Sequence, residues 1–122
     1  MPFSKSINPH HLSSDPDAAK GYEDDPLHDG NVYLKTVIDP LMAGYRLMEG
    51  EYKHWPRDLA ILVSHGDNDP STSAVASRKL VAKLAADDKE FKAWPDMLHE
   101  GHNERAEVRD PFIEYIITWV AQ

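Results

Sequence analysis

Hydrophobic positions change rhythm twice along this 122-residue chain. Residues 1–30 are polar and broken by Pro2, Pro9, Pro16 and Pro26, a pattern that predicts loop with one short helix. That helix starts at Ser14-Asp15-Pro16-Asp17, an N-cap followed by proline in the first turn. Ala18 to Tyr22 continue it, with Gly21 limiting its length. From Asn31 to Met48, apolar residues recur at Val32, Val37, Ile38, Leu41, Met42, Tyr45 and Met48, close to helical spacing. Pro40 removes a backbone donor and crowds the preceding turn. The expectation is therefore two helices or one kinked helix, with Asp39 capping the second piece. Gly50 and Pro56 bracket a linker.

From Leu59 the pattern changes. Residues 59–63 are too short and too continuously apolar for a surface helix, and read as a strand buried on both faces. Thr72 or Ser73 then caps a helix over 73–85, with Ala76, Leu80, Val81 and Leu84 on one face. Asp87-Asp88-Lys89 makes a turn, and residues 90–94 a second, shorter strand. Asp110-Pro111 opens a last helix over 111–121, striped by Phe112, Ile113, Ile116, Ile117 and Val120. Strand–helix–strand–helix implies an α/β architecture with two parallel strands and flanking helices. Two parallel strands make a poor independent sheet, so the pattern predicts neighbours on one or both edges.

Composition narrows the function classes. The chain holds 21 acidic against 13 basic residues and no run of Lys or Arg, so it lacks the basic face that nucleic acid requires. It has no cysteine, which excludes disulfides and thiolate metal sites. The first twelve residues have neither the apolar core of a signal peptide nor a membrane span, so the expectation is a cytoplasmic protein.

Chemistry concentrates in two turns. Ile61-Leu62-Val63 runs into Ser64-His65-Gly66-Asp67-Asn68-Asp69-Pro70, a polar turn with two carboxylates just past a strand end. In a parallel sheet, functional groups gather there. Thirty residues after Asp69 comes His99, within Asp96-Met97-Leu98-His99-Glu100-Gly101-His102, beyond the second strand. Taken alone, one of these aspartates reads as a cap of the following turn or helix, and a surface histidine is usually only solvated. The two together, in this order, match the acid and base of a Ser…Asp…His triad. His99 lies nearer the strand end than the alternative, His102. Asp69 is the expected acid and Asp67 the alternative, since Asp67 follows the tight Gly66 turn and is better placed for local backbone. The serine of a G-x-S-x-G elbow is missing: among the six glycines no two are four residues apart.

Metal and phosphate readings fail on spacing. His99-Glu100-Gly101-His102 is one residue short of H-E-x-x-H. A calcium loop counted from Asp67 would carry Thr72 at its glycine position and Arg78 at its glutamate position. No glycine-rich phosphate cradle exists, so no cofactor and no metal are expected.

With Thr72-Ser73 and Asn103-Glu104, these two turns resemble the C-terminal part of monoacylglycerol lipases and related serine hydrolases of the α/β-hydrolase fold. Ser13-Ser14-Asp15-Pro16 and Tyr22-x-x-Asp25-Pro26-Leu27 resemble the cap segment that precedes the acid strand. The resemblance implies a C-terminal fragment of that fold, with a helical and loop cap over 1–56 and the β-α-β-α part of the core over 57–122. It implies Asp69 as catalytic acid and His99 as base, acting on a carboxylic ester, a monoacylglycerol above all. The apolar positions Val32, Val37, Ile38, Leu41 and Met42 would then line a cap over an acyl-chain channel. The family's oxyanion-hole and nucleophile segments have no counterpart here. The implied partners are a lipid ester and the missing N-terminal half of the hydrolase core. Peripheral contact with membranes or lipid droplets through the cap, and self-association, are compatible with it. The alternative is a non-catalytic hydrolase-derived fragment or binding module.

Overall fold

The computed structural model describes residues 2–5, 7–28 and 31–122; Met1, Ser6, Asp29 and Gly30, within the stretch predicted as loop, lie outside them. That stretch holds a strand the sequence did not announce. β1 (Pro2–Lys5) pairs antiparallel with β2 (Asn31–Tyr33) across an irregularity between Pro2 and Ser4. β2 takes the first three residues of the stretch predicted as helix.

α1 (Pro16–Asp24) begins as expected, with the Asp15 carboxylate accepting the Asp17 N–H at 2.9 Å and Pro16 in the first turn. It runs through Gly21 to Asp24 rather than stopping near it, because a mid-helix glycine costs only about 1 kcal/mol. α2 (Leu34–Glu49) is one continuous helix with Pro40 inside. Asp39 caps nothing, and its carboxylate pairs with Lys35 one turn back. The carbonyl that Pro40 leaves without its helical donor is that of Thr36, an exposed residue, so water can serve it.

The second sheet is the expected parallel pair. β3 (Ile61–Gly66) lies beside β4 (Lys89–Trp94), with Ile61 opposite Lys89 and Gly66 opposite Trp94. β3 starts two residues later than predicted and ends three later, and Leu59 is half exposed ahead of it. Between the strands, α3 (Ala74–Lys83) starts at Ser73, whose hydroxyl accepts the Ala76 N–H at 3.2 Å. α4 (Ala106–Val120) begins five residues before the predicted Pro111, which sits inside it. The ring contacts that follow Pro111 hold the helix despite the lost backbone bond.

Alternation along the strands sends successive side chains to opposite faces. Ser64 accepts the indole N–H of Trp94 at 2.9 Å, and Trp94 meets Phe112 and Tyr115 of α4 edge-on, centroids 5.5 and 5.6 Å apart. His65 turns the other way, with Nδ1 2.9 Å from the Ser77 hydroxyl of α3, and Arg78 of α3 lies over the Phe91 ring. The two helices thus cover opposite faces of the sheet.

The core is small. Leu12, Ala19, Val81, Leu84, Ala86 and Met97 are buried, but Ile61 to His65 of β3 are only partly covered, where the sequence predicted burial on both faces. Ile117 and Val120 of α4 stay 62% and 72% exposed. Total accessible surface is 8482 Å². A compact monomer of 13.8 kDa would expose about 6,600 Å², so this chain leaves apolar faces uncovered. Among the described residues, no helix is long and apolar enough to cross a membrane.

One buried carboxylate ties the first part of the chain to the loop after β4. Glu104 is 1% exposed; it accepts the Ser14 N–H at 3.0 Å and the Ser14 hydroxyl on one oxygen, and the Leu98 N–H at 2.9 Å on the other. Ser13 donates to the Asn103 carbonyl at 2.7 Å, and the Glu100 N–H to the Leu12 carbonyl at 2.8 Å. Glu104→Ala strands two backbone donors in a dry site and should destabilise the fold by about 2–3 kcal/mol in urea titrations. Glu104→Gln, which keeps one acceptor, should cost clearly less.

Candidate active site

The loops after β3 and β4 meet because Gly66 has no side chain. A Cβ built there would lie 2.2 Å from the Met97 carbonyl oxygen and 2.3 Å from that of Leu98. The Asp67 N–H extends the ladder to the Trp94 carbonyl at 2.9 Å, and the Asn68 N–H reaches the Met97 carbonyl at 3.1 Å. Asp96 completes the second turn with φ 59°, a left-handed conformation that aspartate tolerates better than most residues.

Asp69 sits in this junction with its side chain 3% exposed. Its two oxygens divide the work. Oδ1 accepts the backbone N–H groups of Ser71 at 2.7 Å and Thr72 at 3.1 Å, the local capping the sequence offered as its plainer reading. Oδ2 accepts Nδ1 of His99 at 2.9 Å and the Thr72 hydroxyl. His65 reaches the same oxygen, with Nε2 3.1 Å away. Burial pushes the Asp69 carboxyl up, but the hydrogen bonds from His99, Thr72 and the two backbone amides outweigh it and pull it down to about 2.

His99 is 38% exposed on its side chain, and its Nδ1 is committed to Asp69. With Nδ1–H donating, Nε2 keeps a lone pair, the form of a general base. A cavity of about 150 Å³ opens beside it, lined among others by Ser64, Thr72, Met97, His99 and Phe112. His102, the alternative base, lines the same cavity without reaching Asp69. Asp67, the alternative acid, is exposed and meets the histidine loop only through its backbone. Both expected site residues, Asp69 and His99, are therefore brought together, and both alternatives stand apart. Sequence reasoning missed His65, whose signal was its place at the end of β3, four residues before the acid. Among the described residues, no group of three His, Asp or Glu is arranged to hold a metal ion.

Comparison with known proteins accords with this geometry. The family model Hydrolase_4, described as serine aminopeptidase, S33, matches residues 1–106. The chain belongs to this family. It is 33% identical over 100 residues to a monoacylglycerol lipase of Mycolicibacterium smegmatis, covering 76% of this chain and 32% of that one. It is 22% identical over 118 residues to a putative monoglyceride lipase of Schizosaccharomyces pombe, covering 97% of this chain and 30% of the relative. A solved soluble variant of monoglyceride lipase from Saccharomyces cerevisiae, in complex with a substrate analog, superposes with a TM-score of 0.89 at 18% identity. That match covers 99% of this chain and 43% of the lipase. The chain spans 12–32% of the length of the curated relatives it matches. The resemblance to α/β-hydrolases of the monoacylglycerol lipase type is borne out, and the α/β architecture aligns with the C-terminal part of that fold.

Two outcomes follow for the Asp69 and His99 turns. Asp69 is held below its ordinary value of 3.8, so its ionised form stabilises the folded state. That contribution is fully present above about pH 4 and is lost as pH falls through about 2. Urea titrations across this window should show the stability gap between the parent and Asp69→Asn closing toward acid. Gly66→Ala should force the two turns apart, because both clashing atoms are backbone. The signal for the hydrogen-bonded Nδ1–H of His99 should then disappear from the proton spectrum.

Proposed function

We propose that this chain supplies the acid and base of a serine ester hydrolase acting on monoacylglycerols. The observation that carries the reading is the buried Asp69 carboxylate accepting Nδ1 of His99 at 2.9 Å, at the carboxyl ends of two parallel strands. In this reading, the serine comes from a segment that completes the sheet, corresponding to the N-terminal half of the hydrolase core. His99 Nε2 takes the serine proton as the hydroxyl attacks the ester carbonyl, then returns it to the departing alcohol. Asp69 fixes the ring's tautomer and steadies the imidazolium formed midway. The apolar faces left open on β3, β4 and α4 are where that segment would pack; without it, a second copy of the chain is the natural occupant.

The cap reading for 1–56 finds support beside the site. A groove of about 590 Å³ runs between α2 and the start of α3, walled by Pro40, Leu41, Tyr45, Leu47, Met48 and Leu80. It opens at Ser71 and Thr72, the residues that hold Asp69, so an acyl chain lying in it would bring its ester toward His99. Of the five residues expected to line such a channel, only Leu41 does; Val32, Val37, Ile38 and Met42 do not line this groove. Leu34, Ile38 and Met42 are between 43% and 49% exposed on α2, a surface suited to shallow contact with a lipid interface.

The test is chemical. The chain incubated with a fluorophosphonate probe and short-chain nitrophenyl esters should show no labelled serine and no turnover, because Ser64 and Ser71 lack an elbow and an oxyanion hole. Mixing it with the nucleophile-bearing half of a monoacylglycerol lipase should restore labelling. His99→Ala and Asp69→Asn should each then lower turnover by on the order of 10⁴-fold. Stoichiometric labelling of a serine in the chain alone, lost on His99→Ala, would place the nucleophile within it. Restored turnover indifferent to His99 would leave the non-catalytic binding module as the better reading.

A further inference from the structure

Proton counting around Asp69 assigns a role to the histidine that sequence reasoning passed over. Thr72 has one hydroxyl proton, and it goes to Asp69 Oδ2. His65 Nε2 lies 3.2 Å from that threonine oxygen and 3.1 Å from Asp69 Oδ2. That threonine oxygen can then only accept, so Nε2 must carry the proton of their hydrogen bond, with the Asp69 carboxylate at ion-pair distance beside it. On the far side of the ring, Nδ1 is 2.9 Å from the Ser77 hydroxyl, which donates to it when the ring is neutral. The ring is only 10% exposed and is pinned at both nitrogens. The other titratable groups around this junction are Asp69 itself, His99 on its Oδ2, His102 across the shared cavity, and Asp67 and Asp96 in the two turns.

We propose that His65 is a positioning residue: locked by Ser77 as the Nε2–H tautomer, it donates to Thr72 Oγ1 and, through the hydroxyl that Thr72 gives to Asp69 Oδ2, holds that oxygen on His99 Nδ1. The inference rests on the reading of Asp69 and His99 as acid and base. Two imidazoles then converge on one carboxylate in opposite tautomers, His65 donating from Nε2 to Thr72 and His99 from Nδ1 to Asp69. His99 and Thr72 give Oδ2 two donors, with His65 Nε2 3.1 Å away, while the two backbone amides fill Oδ1. A carboxylate bound on both oxygens cannot rotate to release His99 without breaking several bonds at once. Replacement of His65 thus reaches His99 through Asp69, without any contact between the two rings being required.

The experiment is a two-bond proton–nitrogen correlation spectrum of the ¹⁵N-labelled full chain at pH 8. His65 should show the Nε2–H pattern and His99 the Nδ1–H pattern. His65→Phe should convert His99 from one tautomer to a mixture, with the Nε2–H form rising above a tenth. His65→Gln, whose amide nitrogen can donate from nearly the same place, should keep His99 in the Nδ1–H form. Ser77→Ala should let the His65 ring populate both tautomers while leaving the fold intact, which covers the case in which His65→Phe does not fold. An Nδ1–H pattern at His65, or a His99 tautomer unmoved by folded His65→Phe, would overturn the proposal. So would an unchanged His65 pattern in Ser77→Ala. These signals are read without turnover. A failed hydrolase reading would leave them in place, and a failed His65 reading would leave the Asp69–His99 bond and the labelling results untouched.

Discussion

A carboxylate that is 3% exposed must have its lone pairs filled, and that requirement at Asp69 organises the end of the molecule where the β3 and β4 loops meet. One oxygen is satisfied locally, by amides that the turn after Asp69 presents as it bends toward α3. The other is satisfied by side chains, the Thr72 hydroxyl and Nδ1 of His99, with His65 Nε2 3.1 Å away. Capping the turn and holding His99 are therefore not rival roles for this aspartate. The backbone amides orient the group so that its second oxygen faces the histidine loop.

That arrangement depends on how closely the two loops approach, which is set by absences and by one buried charge. Gly66 contributes no Cβ where the Met97 and Leu98 carbonyls press in. Glu104 closes the far side by accepting the Leu98 N–H, and through Ser14 it fastens the segment before α1 to the same loop. Leu98 is the residue immediately before His99. His99 is thus placed by Gly66, Glu104 and Asp69 together, each a strong local constraint.

Much of this was legible in the residues. The short apolar run ending in Gly66, the Ser73 cap and the order acid-then-histidine each correspond to a period or a chemical preference that local sequence controls. What escaped prediction depended on contacts distant in sequence. β1 is four residues long and gains its partner only across the whole of α1, so no local alternation marks it. Pro40 and Pro111 look like breaks, yet each costs a single backbone bond inside a helix whose other turns remain, and in α4 the Trp94 ring packs against Phe112 and Tyr115 just beyond Pro111. His65 was unreadable for a different reason. Its role comes from the strand's alternation placing it on the α3 face, where Ser77 and Asp69 happen to bracket the ring.

The remaining feature is the imbalance between a well-ordered site and a thin core. The hydrogen bonds at Asp69 are in place, while parallel strands that ordinarily sit among several neighbours number two among the described residues. The accessible surface exceeds that of a compact protein of the same mass by roughly a quarter, and much of the apolar side-chain area lies on α2 and α4. These facts fit together if site order is local and sheet stability is not. The acid and histidine turns are stitched by short-range bonds that need only the two strands, α3 and the segment before α1. Covering the outer strand edges and the far side of α4 needs further strands and helices, which the solved lipase, more than twice as long, has the length to supply. The Asp69–His99 geometry can therefore be complete in a chain whose sheet is not.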